Sequence, residues 1–255
     1  EIEDVRSKYR MDFVKFGDDC FTIKADEWLE EFSWKYHQRI DKPFNCYLRV
    51  DTIDDRMLSL LKKAGCYSVN LSVDSVNPAI RENILHRTMK ADNVVERLRK
   101  VREYGINTFV NYMLAVPGSS LKDDLATIKQ GKDGRVTWVN YTTAVPMEKT
   151  DLYDYCINKA LLPHDYEGDM SGCQEKSVLS CFSDREKNIR LNIFFLGDWL
   201  AKLPFNLTWL LRIPPNRLFR KFNAWRYRRY METKIFKVND NLTVPRFWQR
   251  KTDCV

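Results

Sequence analysis

The sequence has no close pair of cysteines. Its seven, Cys20, Cys46, Cys66, Cys156, Cys173, Cys181 and Cys254, stand apart, none within seven residues of another. That spacing excludes the CxxC arrangements of structural zinc sites and thiol redox motifs. An odd count, with several cysteines inside apolar strand-like runs, suits a reducing cytoplasm rather than a disulfide framework. No apolar run reaches the roughly 18 residues that a membrane-spanning helix needs. Histidine is scarce, and His37, His86 and His164 share no spacing, so none is assigned to catalysis. Internal repeats and low-complexity segments are also missing.

What is present suits one large α/β domain, or one domain with an appendage, in 255 residues. The hydrophobic fraction of 44% is ordinary, whereas 13% aromatic is high. The net charge of +7 is unevenly spread. Residues 1–184 hold 26 Lys/Arg against 30 Asp/Glu, or −4, and residues 185–255 hold 16 against 5, or +11. The basic character therefore belongs to the tail, a local feature that bears on partners rather than on fold.

The chain is organised around residues 65–87, GCYSVNLSVDSVNPAIRENILHR. An apolar strand at 67–73 leads into the polar crest Asp74-Ser75-Val76-Asn77-Pro78, and a helix opens behind Pro78. This is a parallel α/β unit, in which active groups stand at the carboxyl ends of strands. Arg87 falls about three turns further on, where that helix should have run out. The same design repeats on both sides. Strands are expected at 11–16, 44–50, 108–114 and 136–142, and helices at 27–36, 56–64, 91–104, 121–129 and 151–160. Asp54-Asp55 caps the helix at 56–64 and Gly65 closes it. A helix at the very start, residues 1–10, carries no N-cap. Five strand–helix units in a row predict a parallel sheet or barrel over residues 1–162. Residues 163–184 read as a linker, and residues 185–255 as a basic, aromatic helical extension with helices at 184–202 and 216–234.

Six stretches carry a family resemblance in their order and spacing. They are FVKFGDDCFT (13–22), LRVDTID (48–54), LLKKAGCYSVNLSVDS (60–75), ILHRT (84–88), GINTFVNYMLAVPGSSLKDDLATI (105–128) and TTAVPMEKTDLY (142–153). Together they resemble the radical S-adenosylmethionine superfamily, and within it the cobalamin-binding branch, over about residues 1–160. The resemblance implies an α/β fold, a partial (β/α)6 TIM-like barrel with strands two to six present. It implies S-adenosylmethionine at the strand ends beside a [4Fe-4S] cluster, with cobalamin in the full-length protein. The cluster reduces the sulfonium, and the resulting 5′-deoxyadenosyl radical modifies or methylates a small-molecule or lipid-like substrate.

Site residues are implied in the same way. Arg49 and Asp51 would face cofactor or substrate, and Asp74 and Ser75 occupy the family's Glu-Ser position. Arg87 matches a cation that pairs with the methionine carboxylate, a role suited to the arginine fork. Asn111 matches a polar residue near the ribose, and an internal hydrogen bond between strands would equally satisfy its amide. Leu114, Val116, Pro117 and Gly118 lie on the turn beside the adenine. Asp18-Asp19 is read as shaping a strand end.

Departures from the pattern are specific. The CxxxCxxC cluster ligands are absent from these residues, and thiolates are what hold such a cluster. Asp74 stands where Glu is usual, Ala115 replaces the turn's first glycine, Ser119-Ser120 replaces Glu-Thr, and Met147-Glu148-Lys149-Thr150 replaces Pro-Gly-Thr. The expectation is therefore the C-terminal portion of a longer enzyme, inactive by itself, with cluster and cobalamin ligands upstream. The alternative is a non-catalytic barrel, or a binding module acting through its tail. That tail reads first as a helical cover for the open side of the barrel. Next comes peripheral membrane association through residues 200–235, and then nucleic-acid binding, since Arg interleaved with aromatic residues serves either partner.

Overall fold

Each strand in this chain is a short run of apolar and β-branched residues that cannot bury both faces unaided, and the helices that follow supply the cover. The computed structural model describes residues 1–89, 93–166 and 170–237. A short helix α1 (Ile2–Lys8) precedes β1 (Val14–Lys15), α2 (Glu27–Arg39), β2 (Phe44–Arg49), α3 (Asp55–Ala64) and β3 (Cys66–Asp74). Then come α4 (Pro78–Asn83), α5 (Val94–Glu103), β4 (Asn107–Leu114), α6 (Leu121–Asp133), β5 (Trp138–Thr143) and α7 (Asp151–Asn158). Two longer helices, α8 (Asp184–Ala201) and α9 (Arg217–Tyr230), complete the described chain, and α9 runs into a π-helical turn, Met231–Ile235.

The five strands form one sheet in the order β1-β2-β3-β4-β5, every pair parallel. Neighbours in sequence are neighbours in space, as in a partial (β/α) barrel. Side chains alternate. Cys46, Leu48, Val69, Leu71, Val110, Tyr112 and Val139 join the core shared with Met57, Leu58 and Leu61 of α3 and Leu98 of α5. Full burial of each such side chain contributes about 1.5–3 kcal/mol. The intervening residues turn to the concave face, where the register aligns them in layers. Tyr47, Asn70, Phe109 and Trp138 lie opposite one another, and so do Arg49, Ser72, Asn111 and Asn140.

Local chemistry sets the boundaries. Asp26, Asp54, Ser120 and Ser183 cap α2, α3, α6 and α8 by accepting from a backbone N–H in the first turn. Gly65 closes α3 at φ +99°, a conformation that suits glycine.

Three expected elements differ in length. The strand expected at 11–16 is paired only at Val14–Lys15, because the chain swings away at Gly17-Asp18-Asp19, although the N–H of Phe16 still donates to Asn45 O and that of Phe21 to Tyr47 O. The helix behind Pro78 stops at Asn83, and a left-handed His86 (φ +48°) follows, so Arg87 lies beyond the helix on an irregular segment. The start of the helix expected at 91 falls partly outside the described residues, and α5 begins at Val94.

The chain beyond residue 163 is packed into this sheet. Ser177, Leu179 and Phe182 are buried, with Leu179 and Phe182 against Ala115 and Cys156. From α8, Arg190 pairs with Asp124 of α6 at 2.5 Å, both buried. Asp198 of α8 accepts from the backbone N–H of Val139 at 2.8 Å, capping a donor that edge strand β5 would otherwise bury without a partner. The same carboxylate pairs with Lys202 and with Arg226 of α9. Arg226 brings α9 round the edge of the sheet to the concave face of β5, where Trp138 packs against Tyr227 and Tyr230. The π turn crosses the amino ends of the strands: Ser68 Oγ donates to Ile235 O at 2.6 Å and Tyr67 Oη to Thr233 O at 2.7 Å.

Two glycines permit this close helix–sheet contact. A Cβ on Gly131 of α6 would lie 2.6 Å from Val139 Cγ2, and one on Gly197 of α8 would lie 2.5 Å from Tyr141 Cε2. Inside an unconstrained helix, Gly→Ala is stabilising by about 1 kcal/mol. Here Gly131→Ala and Gly197→Ala should each lose about 1–3 kcal/mol, because β-branched Val139 and the buried Tyr141 ring cannot yield. Urea denaturation reads the sign directly, and a gain in stability would show that the helices have room to lift.

Candidate functional site

Two adjacent strands end in the same way. At the end of β3, Asp74 takes a left-handed φ of +62° after a register shift between Ser72 and Asp74. At the end of β4, Ala115 does likewise at +57°. Left-handed backbone costs roughly 1–2 kcal/mol for an L-residue, and Asp bears it better than Ala. Strain of this kind persists only where the surroundings fix it, and it collects at functional sites.

The surroundings of Asp74 are built from local chemistry. Ser75 N–H donates to Val73 O at 2.8 Å, and Ser75 Oγ accepts from Asn77 N–H at 3.2 Å. Asn77 caps α4, with Pro78 at the first helical position. On α4, Arg81 is buried and donates to Ser75 O at 2.6 Å. Its own carbonyl accepts from Arg87 N–H at 2.7 Å, which folds the 84–89 segment back over the strand end. Arg87 Nε then lies 3.4 Å from Asp74 Oδ2. At the end of β2, Arg49 forks onto Asp51 with bonds of 3.1 and 2.8 Å, and it also reaches Thr88 O at 3.3 Å.

These groups surround a cleft of about 670 Å³, walled on the far side by Gly17, Asp18 and Asp19. Of the residues singled out from the sequence, Arg49, Asp51, Asp74 and Arg87 meet in it, with Asp18 and Asp19 and with His86 on its wall. Others stand apart from its lining. Ser75 is buried and uses its hydroxyl on Asn77. Asn111 lies one strand over and its Oδ1 accepts from Asn140 Nδ2 at 2.8 Å, the hydrogen bond between strands that its amide was expected to seek. Leu114 and Val116 bury their side chains, and Pro117 is also buried, so the 114–118 turn offers mainly backbone, with Gly118 exposed at φ +84°. Asp124 braces that turn by accepting from Ala115 N–H at 3.4 Å, and is itself held by Arg190.

Sequence reasoning missed Arg81 and the partners Ser72 and Asn140. A lone arginine in a six-residue helix carries no periodic signal. The layer Arg49–Ser72–Asn111–Asn140 becomes visible only through strand register.

Electrostatics divides the two carboxylates. Burial pushes the Asp74 carboxyl above its usual range, with Arg87 and Arg81 opposing. Burial works against the Asp51 charge too, yet the Arg49 fork outweighs it and holds that carboxyl below the usual range. Burial also lowers the Arg81 guanidinium. A cleft that sets guanidinium and carboxylate groups across from one another suits a zwitterionic ligand bearing hydroxyls. Among the described residues no three His, Cys, Asp or Glu side chains gather to hold a metal ion.

Comparisons with known proteins bear on the family and the fold. A family profile, that of the radical SAM superfamily, matches residues 1–130. An uncharacterized methyltransferase of Pyrococcus horikoshii is 22% identical over 162 residues, which is 64% of this chain and 35% of that protein. The chain thus spans about a third of that curated relative. Among solved structures, Elp3 of Methanocaldococcus infernus with an N-terminal deletion superposes with a TM-score of 0.51 at 14% identity, covering 91% of this chain and 57% of the other. The radical S-adenosylmethionine methyltransferase TsrM of Kitasatospora setae, solved with cobalamin and a [4Fe-4S] cluster bound, gives 0.46 at 21% identity, covering 51% and 25%.

The upward shift of Asp74 sets a pH dependence. A carboxyl whose folded pKa is raised contributes stability that is fully present below its unfolded value of 3.8 and is lost as pH rises through the folded value. Asp74→Asn keeps the shape, tolerates the positive φ and buries no charge. The variant should equal or exceed the parent in urea stability at neutral pH, and the difference should vanish below about pH 4. A variant clearly weaker at neutral pH would mean that Arg87 and Arg81 outweigh burial.

Proposed function

The chain belongs to the radical SAM superfamily, and from that premise we propose that it is the S-adenosylmethionine-binding part of an enzyme that modifies or methylates a substrate. The family uses S-adenosylmethionine and a [4Fe-4S] cluster. In this reading the cluster ligands, and a cobalamin domain, belong to parts of the protein outside these residues, since the described residues hold no group of three His, Cys, Asp or Glu side chains placed for a metal ion. The whole protein then carries out the reaction, and this portion binds and orients the cofactor. Bound in the cleft, S-adenosylmethionine supplies radical hydrogen abstraction or a transferable methyl group.

The observation that carries the reading is the Arg87–Asp74 pair at the end of β3, on the wall of an open cleft, within the stretch that matches the family. The Arg87 side chain is 63% exposed and the Asp74 side chain 12%, so a ligand reaches the pair from the arginine side. The Arg87 fork would take the methionine carboxylate and release Asp74, which would accept from the ligand's ammonium or hydroxyl groups. Arg49, pinned by Asp51 and Thr88, would face the other end of the ligand. Ser75 and Arg81 would act through the backbone by holding the left-handed turn at Asp74, and Asp124 would do the same for Ala115. Substrate would approach from the concave face, over the polar layer of Ser72, Asn111 and Asn140.

The test is steady-state kinetics of the full-length enzyme, reconstituted under anaerobic conditions. Loss of a charge-assisted pair costs about 1.5–3 kcal/mol, so Arg87→Ala should raise the apparent KM for S-adenosylmethionine by roughly ten- to a hundredfold, with partial recovery in Arg87→Lys. An unchanged KM would place the carboxylate elsewhere.

A further inference from the structure

Between Asp198 and Glu232 the chain holds no acidic residue, while it holds eight Lys and Arg. Three of these are paired: Lys202 and Arg226 with Asp198, and Arg220 with Glu175. Arg212, Arg217, Lys221, Arg228 and Arg229 are exposed and make no ion pair among the described residues. On α9 the spacing 218, 221, 225, 229 places Leu218, Lys221, Trp225 and Arg229 on one side of the helix. The side turned to the protein carries Phe222 and the buried Arg226, against Trp199 and Asp198 of α8, while Arg220 and Tyr227 border it beside Phe195 and Trp138. Leu218 is 72% exposed and Trp225 60%. The chain just before α9 adds Phe205 and Trp209, each 58% exposed. None of these residues lines the cleft at the strand ends.

We propose that the outer face of α9 docks on an anionic lipid bilayer. Charge complementarity selects the partner: cations without acidic neighbours are attracted to acidic headgroups, and apolar side chains beside them enter the interface. Leu218, the most exposed apolar side chain here, fits acyl chains and offers no ring face on which a nucleic-acid base could stack. The mode is peripheral, and no helix among the described residues is long and apolar enough to cross a membrane. Docked in this way, α9 would place the concave face of β5, which it overlies, next to the bilayer.

Full-length protein would be sedimented with phosphatidylcholine vesicles containing about one-third phosphatidylglycerol, and with phosphatidylcholine alone, at rising salt. The expected result is binding to the anionic vesicles only, weakening as salt rises. Lys221→Glu combined with Arg229→Glu should lower that affinity about tenfold or more. In a second variant, Leu218→Ser with Trp225→Ser, binding should fall while circular dichroism stays unchanged. Quenching by brominated lipid should fall on Trp225→Phe, the remainder coming from Trp209. Three outcomes would overturn the proposal: no sedimentation with anionic vesicles at low salt, binding by both double variants equal to that of the parent, or tight binding to RNA that the charge reversal abolishes without any vesicle binding.

Discussion

The carboxylate of Asp198 is the point on which the arrangement of the second half of the chain depends. A parallel sheet leaves backbone donors open at its last strand, and burying one without a partner costs about 1–3 kcal/mol. Asp198 satisfies Val139 N–H, and in doing so brings a negative charge into an apolar place. Lys202 and Arg226 answer that charge, and Arg226 lies on α9. Pinning of α8 to the sheet edge, passage of α9 to the concave face and placement of the π turn under the strands follow as a chain of polar satisfactions. Burial of Trp138, with Lys202 and Arg226 over its ring, closes the junction.

The opposite end of the sheet follows a different rule. At the carboxyl ends the strands do not fade into loops but turn abruptly, through left-handed Asp74 and Ala115. Each turn is held from behind by a buried ion or its carrier: Arg81 on the Ser75 carbonyl, and Asp124 with Arg190 on the Ala115 amide. Of the groups that face the cleft, Arg87 and Asp74 pair loosely with each other, whereas Arg49 is shared between Asp51 and Thr88 and Arg81 is committed to the Ser75 carbonyl. Rigid backbone behind and loosely paired side chains in front is the division that a binding site needs.

Much of the fold was legible because periodicity and capping agree along the first 160 residues: Gly65 after Ala64, Asn77-Pro78 before α4, and the alternation in β2 and β4. The candidate cleft was legible only at Arg49, Asp51, Asp74 and Arg87, where family likeness added to strand-end logic. What could not be read has physical causes. Arg81 is buried because a carbonyl six residues back needs a donor, and no local pattern encodes that need. α4 ends at Asn83, and the chain beyond it passes through a left-handed His86, a conformation that a non-glycine residue does not announce in the sequence. Cross-strand layers depend on two register shifts, at Phe44/Asn45 and at Ser72/Asp74, that spacing in the sequence does not reveal.

The π-helical turn after α9 sets how this part of the gene can vary. A single extra residue per turn brings both Met231 and Ile235 onto Trp138, and leaves the carbonyl of Ile235 at the Ser68 hydroxyl. Substitutions that keep apolar bulk at those positions leave the wrapping intact. A one-codon deletion there would rotate everything downstream by about 100° and swing Ile235 off the floor of the sheet. The length of this turn is therefore as constrained as the apolar bulk of Met231 and Ile235 within it.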